Sequence, residues 1–161
     1  MRAGEIYFLT DEYCDKYLQY GVMNNKEVED DTEHMRPCFY SLQDKNNSNI
    51  FWMVPISSKI KKYERVLKEK LKRYPMYDGL EFGYVRGRKA AFLLQNMCPV
   101  LKKHVAELYV DSNNGLPVNV SKKVQDLIRK KAYKIISLTE KGYKVTITDI
   151  KYIYDDITNE I

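Results

Sequence analysis

Residues 49–74, NIFWMVPISSKIKKYERVLKEKLKRY, constrain the fold of this chain more than any other stretch. The apolar run before Pro55 predicts a buried strand, and Pro55 with the two serines after it predicts a tight turn. Residues 59–73 predict an amphipathic helix, because apolar side chains recur at spacings of three and four residues. These side chains are Ile60, Tyr63, Leu67, Leu71 and Tyr74. A strand, a turn and a helix therefore follow one another directly.

The other faces of this predicted helix are strongly basic. Residues 59–73 carry eight lysines and arginines against two glutamates, whereas the whole chain has a net charge of +5. The positive charge is therefore concentrated in one element, which indicates a polyanionic partner, either a nucleic acid or an acidic membrane. A lysine-rich helix is also often just a solvated face, so the charge alone does not identify the partner.

Ser57, Ser58 and Lys59 stand where the predicted turn meets the helix. One serine is expected to cap the helix, and that structural role accounts for such a residue by itself. Two hydroxyls are more than one cap needs, and the N–H groups of a first helical turn attract phosphate. We therefore interpret Ser57 and Ser58 as donors that position a phosphate, with Lys59 and Arg36 as cationic stabilisers.

The order of the other elements predicts the fold class. Strand patterns cover residues 5–9, 37–43, 50–55, 80–85, 89–94 and 106–110, and Gly87 supplies a positive φ in one hairpin. Helical patterns cover residues 11–18, 121–142 and 148–157, with Ser121 as an N-cap. The acidic residues 24–33 show no periodicity and are interpreted as a solvated loop. We expect one α+β domain over residues 1–161, with a compact, strongly curved antiparallel sheet and peripheral helices.

Several classes of site have no support in the sequence. There is no Gly-rich nucleotide-binding motif, Walker loop, HExxH or GxSxG motif. The carboxylates lack metal-ligand spacing, and Cys14, Cys38 and Cys98 are far apart, so no metal or cofactor is expected. The first residues do not resemble a signal peptide, and no apolar run approaches the ~18 residues of a membrane span. A reducing cytoplasm is the expected location.

The two histidines, His34 and His104, are of the residue type that most often transfers protons at neutral pH. His34 follows the acidic stretch and is expected to be exposed, whereas His104 lies among apolar residues and is expected to be structural. If the substrate is RNA, its 2′-hydroxyl is the nucleophile and no metal is needed. Such a site must deprotonate the 2′-oxygen, protonate the departing 5′-oxygen and stabilise the anionic phosphorus.

Further cations are candidates for phosphate contacts along an RNA backbone. Some lie on the predicted helix, others in the RGR turn near Gly87, and the rest in later segments. They are Lys62, Arg65, Lys68, Lys72, Arg86, Arg88, Lys89, Lys102, Lys103, Lys122, Lys123 and Lys130.

Four segments in the first hundred residues are similar in order to one known family. They are IYFL, RPCFYSL with Arg36 at its start, FWMVPISSK and FLLQNMCPV. They resemble the toxins of type III toxin-antitoxin systems, the ToxN and AbiQ endoribonuclease family, and especially its CptN branch. The resemblance implies catalytic hydroxyls on Ser57 and Ser58, an active-site lysine at Lys59 or Lys61, and a basic active-site residue at Arg36.

The resemblance also implies an architecture and an activity. The fold would be a curved barrel like that of the MazF and Kid toxins. The activity would be metal-independent cleavage of cellular or phage RNA that leaves a 2′,3′-cyclic phosphate. A folded, repeat-derived RNA antitoxin would be processed by the toxin, would inhibit it, and would bridge several toxin copies in one assembly.

Two other functions stay open at this point. In a non-catalytic RNA-binding regulatory protein, the serines would cap the helix and the basic helix would bind RNA without forming a product. In a peripheral membrane protein, the basic helix would lie on an anionic surface. The second is disfavoured because the protein core is expected to use the apolar stripe of that helix.

Overall fold

The computed structural model describes all residues from Met1 to Ile161. The strands are β1 (Ile6–Leu9), β2 (Lys26–Glu29), β3 (Thr32–Met35), β4 (Pro37–Gln43), β5 (Ile50–Ser57), β6 (Glu81–Val85), β7 (Arg88–Phe92), β8 (Cys98–Leu101) and β9 (Val105–Leu108). The helices are α1 (Asp11–Lys16), α2 (Ile60–Leu71), α3 (Lys122–Glu140) and α4 (Ile150–Thr158). The expected α+β class is confirmed. Ser121 caps α3 as predicted, because its side chain accepts a hydrogen bond from the N–H group of Val124.

The main sheet has seven strands in the order β6-β7-β5-β4-β1-β9, and β8 pairs with a second segment of β5. Every pairing is antiparallel. The outer strands β6 and β9 do not pair with each other, so the sheet is open and not the closed barrel that the resemblance implied. Side chains still link the two edges at one end, where Arg86 Nη1 lies 3.3 Å from the Tyr109 hydroxyl.

Pro55 lies inside β5, and the predicted tight turn at this residue is wrong. One side of β5 pairs with β8 as far as Met53 and with β7 from Ile56 onward. The carbonyl of Pro55 accepts from the N–H group of Leu93 on that side, in the gap between the two ladders. The backbone nitrogen of Pro55, which carries no hydrogen, faces the same gap. No ladder hydrogen bond is therefore lost, and the strand continues to Ser57.

Helices cover both faces of the sheet. Helix α3 packs on one face, where Phe39, Trp52 and Ile128 belong to one buried cluster. Helices α1 and α4 pack on the other face around Tyr13 and Ile153. All three cysteines are free and buried in the second cluster. None of the helices is long and apolar enough to cross a membrane.

Helix α2 covers the hairpin formed by β6 and β7. Tyr63 is buried against Leu80, Ala91 and Leu93, and Ile60 and Leu67 pack at the margin of this small cluster. The predicted apolar stripe is correct over this length. It does not extend to Leu71 and Tyr74, whose side chains are about half exposed because the helix ends at Leu71 beyond the hairpin.

The predicted solvated loop at residues 24–33 is wrong, because these residues contribute to a β-hairpin. Strands β2 and β3 pair from Lys26↔Met35 to Glu29↔Thr32. The turn between them uses Asp30 and Asp31, which both have positive φ angles, a conformation that aspartate tolerates better than most residues. Glu27 is buried and Glu29 half-buried, so the inward face of the hairpin is acidic. Because these inward residues are not apolar, the sequence shows no apolar alternation that would predict a strand.

Candidate active site

A cleft of about 550 Å³ lies at the C-terminal end of β5. Its walls come from β1, the β2–β3 hairpin, the start of β4, the β6–β7 hairpin and the segment around β9. Its polar lining residues are Glu27, Glu29, His34, Ser57, Ser58, Arg86, Arg88, Lys89, Glu107 and Tyr109. Five separate segments of the chain therefore meet around the serine pair.

The two adjacent serines have different environments. Ser57 is 1% exposed, donates a hydrogen bond of 2.7 Å to Glu27 Oε1, and accepts one of 3.2 Å from the N–H group of Lys59. Ser58 is partly exposed and lines the cleft, and its hydroxyl forms no hydrogen bond within the protein. The Ser57 hydroxyl therefore holds the turn in place, while the Ser58 hydroxyl is free to meet a ligand.

Arg36 is buried beneath this turn and is not presented to the cleft. Its Nη1 atom lies 3.3 Å from Glu27 Oε2 and 3.4 Å from the carbonyl oxygen of Ile56, and its Nε donates to the carbonyl of Asn24 at 2.9 Å. The side chains of Arg36 and Glu27 are 8% and 3% exposed. Direct contact with a phosphate, as the sequence suggested for Arg36, would require this buried pair to separate.

Three cations at the rim of the cleft are held by carboxylates. Arg88 Nη2 lies 3.0 Å from Glu29 Oε1, and Lys89 Nζ lies 2.9 Å from Glu64 Oε1. The hydrogen bond to Glu64 raises the pKa of Lys89 above its usual value, and that to Tyr109 raises the pKa of Arg86. Arg86 and Lys89 therefore stay charged at neutral pH, and all three side chains lie on surfaces that water reaches.

The residues from Lys59 through the third turn of α2 include cations without carboxylate partners. Five exposed side chains form no ion pair, namely those of Lys59, Lys61, Lys62, Arg65 and Lys68. We call these five residues the α2 basic track. Lys72 follows the end of the helix and is paired with Glu69 at 2.8 Å. The track begins beside Ser58, so a row of cations continues from the edge of the cleft along α2.

The remaining predicted RNA-binding residues lie away from the cleft. Lys102 and Lys103 follow Leu101, which pairs with Ile50 at the other end of β5, roughly 23 Å from Ser57 for a strand of this length. Lys103 is also paired with Glu160 at 2.7 Å. Three others lie on α3 and do not line the cleft, namely Lys122, Lys123 and Lys130.

The sequence predicted the environment of His104 correctly but not that of His34. His104 is structural as expected, because its Nδ1 accepts from the N–H group of Leu101 at 3.0 Å and burial lowers its pKa. His34 is not a simple exposed residue, since it is half-buried and lines the cleft. It lies directly opposite Glu27 in the β2–β3 ladder, so both side chains are on the same face of the hairpin.

Sequence reasoning missed four other residues around the cleft. Glu27 lay in the stretch interpreted as a loop, and no apolar periodicity marked it as inward-facing. Phe8, Glu107 and Tyr109 reach the cleft through the pairing of β1 with β9, which lie about a hundred residues apart in the chain. The β-prone run IYFL signals a strand, but no local pattern reveals which strand will lie beside it.

The arrangement combines a free hydroxyl, an imidazole and several cations around one concave surface. These are the groups that position a phosphate, move a proton and offset negative charge. No group of three or more histidine, cysteine, aspartate or glutamate side chains is arranged to hold a metal ion. A hydroxyl, an imidazole and cations in this arrangement can support acid–base chemistry at a bound anion.

Comparison with solved structures shows that this fold occurs in a known protein. No protein-family model matches the sequence, and no curated protein is significantly similar to it. Among solved structures, the chain is similar to AbiQ, a lactococcal anti-phage endoribonuclease belonging to the type III toxin-antitoxin system, with a TM-score of 0.69. The two chains are 16% identical, and the match covers 97% of this chain and 96% of AbiQ. At this identity the likeness establishes a shared fold over essentially the whole length.

Proposed function

We propose that this chain is the toxin of a type III toxin-antitoxin system, a single endoribonuclease domain over residues 1–161 that belongs to the ToxN and AbiQ family and to its CptN branch. One observation carries the proposal. The fold shared with AbiQ brings the free hydroxyl of Ser58, His34 and the cations of the β6–β7 hairpin around one cleft. These groups suit cleavage of RNA without a metal ion.

The proposed reaction uses the 2′-hydroxyl of the RNA as its nucleophile. The 2′-oxygen attacks the adjacent phosphorus and loses its proton to a base, while the bond from phosphorus to the 5′-oxygen breaks. The 5′-oxygen takes up a proton, so the products are a 2′,3′-cyclic phosphate and a 5′-hydroxyl. His34 lines the cleft and is the residue best suited to one of these proton transfers, because histidine is the side chain that most often acts as a general acid or base.

The other groups act on the phosphate. The Ser58 hydroxyl donates to a non-bridging oxygen, and Arg86, Arg88 and Lys89 offset the charge that builds up in the transition state. The active-site lysine is Lys59 or Lys61, which are both exposed at the start of α2. Ser57 and Arg36 act indirectly, through the hydrogen bonds that hold the turn before α2.

The proposed partner is a folded RNA antitoxin made of repeats, which the toxin cuts to length and which then occupies the cleft. The α2 basic track suits such a partner, because its cations have no carboxylate partners and can pair with the phosphates of the RNA. Several toxin copies would be bridged by RNA. The substrates would be cellular or phage RNAs. The proposed location is the cytoplasm, because free cysteines such as the three buried here are usual in a reducing compartment.

The test is cleavage of an end-labelled RNA that contains the candidate antitoxin repeat, in the presence of EDTA. The wild-type chain is expected to form a product with a cyclic-phosphate end, and Ser58→Ala is expected to form none while keeping its thermal unfolding midpoint. Ser112→Ala, in an exposed loop, is the matched control and should cleave like the wild type.

Two outcomes would contradict the proposal in different ways. Full activity of Ser58→Ala would remove Ser58 from the mechanism. Tight, salt-sensitive RNA binding without cleavage by either protein would instead support the non-catalytic RNA-binding regulator.

A further inference from the structure

The ladder between β1 and β9 presents two aromatic rings and a carboxylate to the cleft. Phe8 is directly opposite Glu107 in the register, so their side chains are on the same face. Tyr109 follows two residues later and continues the ladder, since its N–H group donates to the carbonyl of Ile6 at 2.8 Å. All three side chains line the cleft, and the rings of Phe8 and Tyr109 meet edge to face at 5.0 Å.

Glu107 differs from the other carboxylates of the cleft because it has no partner. Glu27 contacts Ser57 and Arg36, and Glu29 is paired with Arg88. Glu107 is exposed and forms neither a hydrogen bond nor an ion pair. An unpaired carboxylate repels a phosphate group and accepts hydrogen bonds, so its natural neighbour in an RNA-filled cleft is the N–H edge of a base.

The two rings supply the second requirement of a base-binding site, which is a stacking surface. Both Phe8 and Tyr109 are only partly buried, so ring area remains accessible in the cleft. The Tyr109 ring is also held in place, because its hydroxyl accepts from Arg86 Nη1 at 3.3 Å while Arg86 Nη2 contacts Asp111 at 3.5 Å. Unpaired RNA bases are commonly bound by such aromatic faces together with polar groups at their Watson–Crick edges.

We propose that Phe8, Glu107 and Tyr109 form a nucleobase subsite that selects a base with an exocyclic amino group. Adenine, cytosine and guanine each offer an amino N–H to a carboxylate. Uracil presents carbonyl oxygens on either side of its single N–H group, and these oxygens repel the carboxylate. The subsite rests on the proposed function in one respect, since it requires that RNA occupies this cleft. It adds a preference at one nucleotide next to the phosphate held at Ser58.

The experiment measures binding and does not depend on catalysis. Fluorescence anisotropy gives the affinity for four RNA pentanucleotides, called pentamers below. Their four outer bases are uracil, and the central base is adenine, cytosine, guanine or uracil. Each ribose carries fluorine in place of the 2′-hydroxyl, so the RNA cannot be cleaved. The wild-type chain is expected to bind the three amino-bearing pentamers on the order of tenfold more tightly than the uracil pentamer.

Glu107→Gln should remove most of this preference, because an amide both donates and accepts and therefore also pairs with uracil. Phe8→Leu should weaken binding of all four pentamers, since it removes one stacking ring and leaves Glu107. Glu33→Gln, an exposed change on β3 outside the cleft, is the control and should leave the preference unchanged. Equal wild-type affinity for all four pentamers, or a preference that survives Glu107→Gln, would overturn the subsite.

Cleavage of the 2′-hydroxyl RNA is measured in parallel, so the two proposals fail separately. A base preference that depends on Glu107 but comes without cleavage would support the subsite and contradict the endoribonuclease. Cleavage without such a preference would do the reverse.

Discussion

The hydroxyl of Ser57 donates a 2.7 Å hydrogen bond to a carboxylate oxygen of Glu27, thirty residues earlier in the chain. The other carboxylate oxygen of Glu27 faces Arg36 at 3.3 Å, so one buried side chain joins the β2–β3 hairpin to the end of β5. This contact fixes Ser57, the residue directly before Ser58, which lines the cleft.

Replacing Glu27 should destabilise the protein, and the loss should be larger when the new side chain also removes the hydrogen-bond acceptor. Glu27→Ala leaves the Arg36 guanidinium buried without its carboxylate, and we expect a loss of about 3–5 kcal/mol in the free energy of unfolding. Glu27→Gln keeps an acceptor for Ser57 and should cost less. Urea denaturation measures both changes. Glu33→Gln, on the exposed side of the same hairpin, should change stability by less than about 0.5 kcal/mol, and an equally small effect of Glu27→Ala would refute this account.

His34→Gln should slow RNA cleavage without unfolding the protein. Removal of a group that transfers a proton lowers the rate by roughly 10²–10⁴-fold, and a half-buried glutamine fits the same strand position. His104→Gln should show the opposite pattern, with reduced stability and a nearly unchanged rate for the folded fraction, because its ring accepts the Leu101 N–H group. Single-turnover rates and thermal unfolding distinguish the two. Unchanged cleavage by His34→Gln would exclude this histidine from proton transfer.

The α2 basic track should contribute to RNA affinity in a salt-dependent way. Changing Lys62 and Lys68 to glutamine removes two cations that have no carboxylate partner. The slope of log affinity against log salt should become shallower by about 0.7 for each lost phosphate contact to a single strand. Lys151→Gln is the control, because Lys151 is paired with Asp155 at 2.7 Å and does not line the cleft. An unaltered slope in the double variant would place the RNA elsewhere.

Acid should weaken the attachment of the C-terminus. Hydrogen bonds from Lys103 and Lys16 lower the pKa of Glu160 from 4.5 to about 2 in the folded protein. The unfolded chain therefore takes up this proton first, so the stabilising effect of Glu160 is complete above pH 4.5 and disappears as the pH falls towards 2. Thermal unfolding of the wild type and of Glu160→Gln should differ at pH 6 and converge as the pH falls to about 2. A difference in thermal unfolding midpoint that persists in acid would contradict the assignment of this stabilising effect to Glu160.

Much of the local structure was predictable from the sequence. The strand–helix order around Ser57, the Ser121 cap and the positive φ of Gly87 follow from side-chain spacing and backbone preference, which act within a few residues. The prediction at Pro55 failed because it considered only the local preference of proline for turns. The gap between β7 and β8 that accommodates its missing N–H group arises from two later strands.

The sequence by itself determined the α+β class, the basic helix after a serine pair and the residue types suited to RNA. Only the tertiary structure decided that Ser57 is buried against Glu27, that Arg36 is withdrawn from the surface, and that His34 and Glu107 enter the cleft. The physical reason is that periodicity records which side of an element is apolar. An inward-facing carboxylate pairs with a residue far away in the chain, and no local pattern encodes which one.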